Sequence, residues 1–344
     1  MKALKTLGQT LALSALAVGT ATGSVEARGQ STLSGQISLK GQPVSGSSIT
    51  LWQTTAGQSP KQLSTQRSNK SGAFSVKIRA TPGVVHYLVA EGGDIGGSSA
   101  DQLTMLTVLG GDEHQQVAIN ELTTVGSVWP NAQLLEGTAL EGIQSALTIG
   151  SSQVENLVNQ STGRFGATLL ESSNLLNSET AARMNVLSDL IALCGQPQQS
   201  QACYRLLALT NSENTLSAMT SIARQPWKNA GDLYQLFQSA YPINKSTELR
   251  TTATAPYLLF QPKSFSLSLV FNGGGALGLG KLMFDGKGSL WSGTNWMPGS
   301  QSGVVNNIGG GVTHFSPSGT PLSPAISGYN GQGINGVGWG TGVS

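Results

Sequence analysis

A glycine-rich run at residues 273–278 has the spacing that binds nucleotide phosphates in many proteins. The run fits the pattern G-x-G-x-x-G and follows a predicted strand at 265–271. A dinucleotide site needs a helix next, because the helix N-terminus faces the pyrophosphate. Here the chain continues into Asp285-Gly286-Lys287-Gly288, which indicates a turn. We therefore interpret the run as a loop and expect no dinucleotide.

An overlapping segment, 275–281, matches most of a P-loop. That motif ends in Lys followed by Ser or Thr, because the hydroxyl holds Mg²⁺. Lys281 is present, but Leu282 follows it and has no hydroxyl. In a chain with 45 glycines such partial matches arise by chance, and we expect no cofactor.

Residues for hydrolytic chemistry are present only in isolated groups. The sequence has no Gly-x-Ser-x-Gly nucleophile turn and no His-Glu-x-x-His zinc helix. The segment 112–114, Asp-Glu-His, has the polar neighbours of a solvated loop. Asp285 and His314 could face each other, but hydrogen bonds to its own backbone explain an aspartate in a tight turn. We interpret Glu121 and Thr123 as part of a helix cap and expect no catalytic residue.

The first residues have the composition of a secretory signal peptide. A positive start with Lys2 and Lys5 precedes an apolar run at 11–18 and a small-x-small site that ends at Ala27. This order predicts cleavage after Ala27 and export to the periplasm, the cell surface or the medium. The apolar run is too short to span about 30 Å of hydrocarbon, so we expect no stable membrane insertion after cleavage.

The two cysteines, Cys194 and Cys203, are close in sequence. Export places them in an oxidising environment, which favours a disulfide between them. A zinc site would need four ligands, and His86, His114 and His314 lie in unrelated segments. Closing so small a loop stabilises the fold by about 2–3 kcal/mol in the chain-entropy picture.

Aromatic residues in the C-terminal region are the candidates for binding. Trp291, Trp296 and Tyr329 could form an aromatic surface for a sugar or peptide, although tryptophans in β-sheets also serve as core residues. A glycan, a peptide or another envelope component is the expected partner. Only 10% of residues are charged, the net charge is +2, and no Lys/Arg cluster is interleaved with aromatics. This composition argues against a nucleic-acid partner.

Residues 30–119 have the pattern of short antiparallel strands. Apolar and polar residues alternate with period two in 33–39, 49–52 and 74–78, which predicts an antiparallel β-sandwich. Segments 35–37, 41–51 and 69–74 resemble the carboxypeptidase regulatory-like (prealbumin-like) sandwich and the B repeats of collagen adhesins. The resemblance implies a spacer, a stalk or a binding platform.

The apolar period changes to three and four residues between 120 and 250, which predicts helices. Gly195 followed by Pro197 marks the end of one helix, and an apolar face restarts at Cys203. The predicted disulfide would therefore join the two arms of a helical hairpin.

After residue 251 the composition becomes β-like again. The segments 282–292 and 311–320 are strand–turn–strand units with an Asp-x-x-Gly turn or a related Pro-Ser-Gly turn, as in the blades of a β-propeller. They resemble the propellers of the streptogramin lyase (virginiamycin B lyase) type and the related NHL repeats. Segment 328–340 resembles the start of a second blade, so we expect the chain to be a fragment of a longer propeller protein. The resemblance implies that the catalytic residues lie in later blades.

The sequence therefore predicts a multidomain, mainly β protein with an α-helical middle. Its expected parts are a signal peptide (1–27), a prealbumin-like β-sandwich (30–119), a helical domain (120–250) and partial β-propeller blades (251–344). The expected function is an exported modular scaffold or binding protein with no catalytic site in this chain. The alternative is the front part of a secreted lyase or lactone hydrolase whose active site lies beyond Ser344. An adhesin or protease inhibitor built on the sandwich is a third hypothesis.

Overall fold

The structure is a computed structural model that describes residues 29–111, 114–294, 311–331 and 342–343. The predicted signal peptide, its cleavage site at Ala27 and the candidate Trp296 lie outside these residues. The N-terminal strands are β1 (Ser31–Leu39), β2 (Gln42–Pro43), β3 (Ser48–Thr55), β4 (Lys61–Arg67), β5 (Ala73–Ile78), β6 (Val84–Glu91), β7 (Asp94–Ile95), β8 (Ser98–Ser99), β9 (Thr104–Gly110) and β10 (Gln116–Ile119).

These strands form two main sheets. In one sheet β1 pairs antiparallel with β5 and β2 and parallel with β10. The other has the order β4-β3-β6-β9 and is antiparallel throughout. Alternation places Leu33 and Ile37 of β1 in the same core as Leu51 of β3. The predicted antiparallel sheets are confirmed, and the named sandwich family stays a prediction.

The helical middle of the chain is also confirmed. Its helices are α1 (Glu121–Asn131), α2 (Gln144–Ser152), α3 (Val154–Leu157), α4 (Ala167–Leu170), α5 (Ser172–Leu175), α6 (Thr180–Ala192), α7 (Ser200–Thr210), α8 (Thr215–Arg224) and α9 (Ala230–Ala240). Two short hairpins lie between them, β11 (Leu135–Glu136) with β12 (Ala139–Leu140) and β13 (Val158–Asn159) with β14 (Arg164–Phe165). No helix in the described part of the chain combines the length and apolar composition that a membrane span needs.

The helices cover the second sheet. Helices α1, α2 and α8 contact β9, and every residue of β9 is buried. One continuous core runs from Leu33 in β1 through Val125 in α1 to Phe265 beyond α9. The predicted boundary between residues 119 and 120 is therefore crossed by a single core.

Helix hydroxyls cover the outer edge of β9. An edge strand has N–H groups without a strand partner, and such groups cost free energy when they are buried unpaired. Alternate N–H groups of β9 donate to hydroxyls of α1 and α8. The pairs are Thr104 to Thr215 Oγ1 at 2.9 Å, Leu106 to Thr124 Oγ1 at 3.1 Å and Val108 to Ser127 Oγ at 3.0 Å.

The C-terminal strands form one three-stranded antiparallel sheet. They are β15 (Leu279–Phe284), β16 (Leu290–Thr294) and β17 (Val312–Phe315). The register places Trp291 of β16 opposite Met283 of β15 and His314 of β17. The propeller resemblance stays a prediction, because the described residues of this region contain this sheet and no closed ring of blades.

Candidate functional site

A tight turn positions the indole ring of Trp291. The Asp285 carboxylate accepts hydrogen bonds from the N–H groups of Lys287 and Ser289, each at 2.9 Å. Its other oxygen accepts the Nε1–H of Trp291, also at 2.9 Å. These hydrogen bonds, that of the indole first, lower the pKa of the Asp285 carboxyl. The carboxylate is therefore held by the turn, as the sequence indicates, and it orients Trp291.

Trp291 belongs to an aromatic cluster that consists of Trp291, His314 and Tyr329. The indole and imidazole rings stack with centroids 3.7 Å apart and an interplanar angle of 12°. The Tyr329 ring lies 6.2 Å from the Trp291 ring. Two backbone hydrogen bonds of 2.9 Å between Val312 and Tyr329 hold Tyr329 beside β17. The structure thus brings together two of the three predicted aromatic residues, and it adds a histidine.

His314 has unused hydrogen-bonding capacity. Both ring nitrogens are buried and have no hydrogen-bond partner. Burial lowers the pKa of the imidazole, against the opposing effect of the Asp285 carboxylate, so the ring is neutral at pH 7. A neutral imidazole offers one donor and one acceptor. No hydrogen bond joins Asp285 to His314 within the described residues.

The glycine-rich run 273–278 packs closely against another segment. The N–H of Gly275 donates to the Ala325 carbonyl at 2.9 Å. Gly275 has a positive φ of 70°, and a Cβ atom there would collide with the backbone of Gly328. The run then leads into β15 without a helix. Close approach of two backbones therefore explains its glycines, as expected for a loop.

Helix α1 begins with the predicted cap. The Asn120 side chain accepts from the Thr123 N–H at 2.8 Å, and the Thr123 hydroxyl accepts from the Asn120 N–H at 2.9 Å. Oε1 of Glu121 accepts from the Lys40 N–H at 3.1 Å. The side chains of Glu121 and Thr123 thus serve the packing of this helix.

A buried polar cluster joins the turn after β1 to the helices, and the sequence gives no signal for it. Asp189 on α6 is fully buried, and its carboxylate pairs with the Lys40 ammonium at 2.5 Å. The backbone N–H and hydroxyl of Thr254 also donate to Asp189, at 2.8 and 2.7 Å. The Tyr241 hydroxyl donates to the Asp189 carbonyl at 2.9 Å. We call Lys40, Glu121, Asp189, Tyr241 and Thr254 the junction cluster.

Burial shifts the pKa values of Glu121 and Tyr241 in the junction cluster. It raises the pKa of Glu121 by more than the nearby Lys40 groups lower it. Burial and the Asp189 carboxylate also raise the pKa of the Tyr241 hydroxyl. Since both oxygens of Asp189 accept hydrogen bonds from the protein, the cluster holds elements together and leaves that carboxylate no free position for a substrate.

The disulfide joins the 3-10 turn that follows α6 to helix α7. Cys194 and Cys203 are bonded, with their Cα atoms 4.8 Å apart. Two 3-10 turns, Leu193–Gly195 and Pro197–Gln199, lie within or beside the closed loop. In the described part of the chain no group of three or more His, Cys, Asp or Glu side chains could hold a metal ion.

No protein-family model and no curated protein sequence matches this chain. The functional conclusion therefore rests on the geometry of the aromatic cluster and its surroundings.

Proposed function

We propose that this chain is an exported scaffold protein that binds a neutral glycan through the aromatic cluster. The observation that carries the proposal is the aromatic cluster itself, in which the Tyr329 ring lies beside the stacked Trp291–His314 pair. Tyr329 is 38% exposed. C–H groups of a sugar ring pack on aromatic faces.

The scaffold part of the proposal is supported by the hydrogen bonds that the candidate catalytic side chains make within the fold. Asp285 orients Trp291, and Asp189 accepts from Lys40 and Thr254. Groups that are saturated by structural hydrogen bonds are poor proton donors or acceptors for a substrate. The disulfide is compatible with export.

The test is binding of the full mature chain to an array of neutral malto-, cello- and chito-oligosaccharides, followed by calorimetry on any positive glycan. The variant Tyr329→Leu removes the exposed ring and is expected to weaken binding at least tenfold. Tyr204→Leu is the matched control, because Tyr204 on α7 is 59% exposed and lies outside the cluster. Equal affinity of the two variants, or no binding to any neutral glycan, would exclude the aromatic cluster as a glycan site.

A second candidate function is the front part of a secreted propeller enzyme of the lyase or lactone hydrolase kind. It is favoured by apolar residues on β15, where Leu282 is 52% exposed and Phe284 is 54% exposed. A propeller blade buries such residues against its neighbours. The mass of the protein recovered from the native cell envelope tests this hypothesis. A mass well above that of residues 28–344 supports it, and a mass equal to that of these residues contradicts it.

A further inference from the structure

A cavity opens at the edge of the two N-terminal sheets, where β4 contacts β5. Its volume is about 450 Å³, which lies in the range of sites for small ligands. We call it the edge cavity. Its polar lining includes Gln53, Ser64, Gln66, Lys77, Arg79 and His86. None of these residues belongs to the aromatic cluster or to the junction cluster.

The charge of the edge cavity has one sign. Lys77 and Arg79 contribute two cationic side chains, and no Asp or Glu is among the lining residues. Within the described ranges neither side chain takes part in an ion pair or a hydrogen bond. Two cations without a counter-ion at one concave surface attract an anion.

A buried histidine supplies a second and independent observation. His86 on β6 is 2% exposed, and its Nδ1 has no hydrogen-bond partner. The Ser64 hydroxyl on β4 is likewise buried without a partner. Buried polar atoms are almost always paired in proteins, so these two groups on the same cavity have hydrogen-bonding capacity that a ligand can use. Burial also lowers the pKa of His86, which leaves a neutral ring that still donates one N–H.

We propose that the edge cavity binds an oxyanion, which is a carboxylate, sulfate or phosphate group of a small ligand. Arg79 and Lys77 supply the positive charge, and the guanidinium matches the planar arrangement of two anionic oxygens. Ser64 and His86 donate hydrogen bonds from the inner wall. The oxyanion is either a free ion or the acidic group of a saccharide.

The experiment is a ¹H–¹⁵N NMR titration of the histidine side chains in the full mature chain. The sequence has three histidines, and His114, which lies outside the edge cavity and the aromatic cluster, serves as the internal reference. Sulfate, phosphate, acetate and glucuronate are added in turn, with chloride keeping the ionic strength constant. The expected result is a saturable shift of the His86 signals while those of His114 stay unchanged, together with a rise of the His86 pKa by about one unit, because a bound anion favours the imidazolium.

Variants that remove positive charges distinguish anion binding at the edge cavity from nonspecific attraction by the surface charge. The double variant Lys77→Gln, Arg79→Gln is expected to weaken binding of the anion at least tenfold. Lys70→Gln, on the exposed turn before β5, is expected to leave the affinity for the anion unchanged. Tighter binding of glucuronate than of sulfate and acetate would identify an acidic saccharide, and equal binding a free ion. Absence of a saturable His86 shift with all four anions, or equal weakening by Lys70→Gln, would overturn the proposal.

Discussion

Glu121 is a buried carboxyl group whose two oxygens differ in their surroundings. Oε1 accepts from the Lys40 N–H, whereas Oε2 has no partner. Burial raises the pKa of this carboxyl above its ordinary value. The folded protein therefore binds the carboxyl proton more tightly than the unfolded chain, and stability falls as the pH rises from the unfolded pKa through the folded one.

This difference predicts a stabilising substitution. Glu121→Gln keeps the acceptor for Lys40 and cannot ionise, so it is expected to raise the free energy of unfolding at pH 7. Urea unfolding of both proteins across the acid range checks it. The gain should vanish below the ordinary glutamate pKa of about 4.3, and a gain that is independent of pH would contradict the burial argument.

Asp189 and Lys40 form the most buried ion pair of the described residues. Asp189→Asn leaves the Lys40 ammonium without its counter-charge, so it is expected to lower the free energy of unfolding by about 3 kcal/mol. The matched control is Glu179→Gln, which breaks the exposed pair with Arg183 and should cost less than about 1 kcal/mol. A double-mutant cycle that combines Asp189→Asn with Lys40→Met measures the coupling energy of this ion pair by denaturant unfolding. Equal losses of stability in Asp189→Asn and Glu179→Gln would contradict the prediction that the buried pair contributes more than the exposed one.

At the scale of elements, the hydroxyls of α1 act as substitutes for a neighbouring strand. The N–H groups of Leu106 and Val108 donate to Thr124 and Ser127, which are separated by one turn of the same helix. A helix repeats its face every three to four residues and a strand every two. Two hydroxyls three residues apart on α1 therefore lie opposite two N–H groups that are two residues apart on β9.

The variant Thr124→Val tests whether the helix hydroxyl takes the place of a neighbouring strand as hydrogen-bond acceptor. Valine has the shape of threonine without the oxygen, so the buried Leu106 N–H loses its acceptor and stability should fall by about 1–3 kcal/mol. Hydrogen exchange of the Leu106 amide is expected to accelerate in parallel. Ser239→Ala is the control, because the Ser239 hydroxyl bonds only within its own helix at an exposed position. Unchanged exchange at Leu106 would show that water replaces the hydroxyl.

The features that could be predicted from the sequence are those that depend on residues close together in the chain. Period-two alternation identifies strands such as β1 and β5, and the cap at Asn120 and the Cys194–Cys203 bond lie within short segments. The junction cluster could not be predicted, because Lys40 and Asp189 are 149 positions apart and only the packing of helices on the sheets joins them. The Trp291–His314 stack likewise depends on strand register, which composition does not determine.

At the scale of the whole molecule, the sheets and the helices share one core. Strands β6 and β9 are buried along almost their whole length, which requires cover on both faces. We therefore expect residues 29–119 alone to expose apolar surface and the free edge of β9, and to aggregate. Size-exclusion chromatography of this segment beside residues 29–270 checks it. A monomeric, cooperatively unfolding 29–119 segment would show that the sandwich is stable without the helices.

The covered edge of β9 also has a consequence for the order in which the chain is made. Ribosomes synthesise proteins from the N-terminus, and the last hydroxyl acceptor of this edge, Thr215, follows its donor Thr104 by 111 positions. The edge of β9 therefore cannot be closed until the chain has emerged as far as α8.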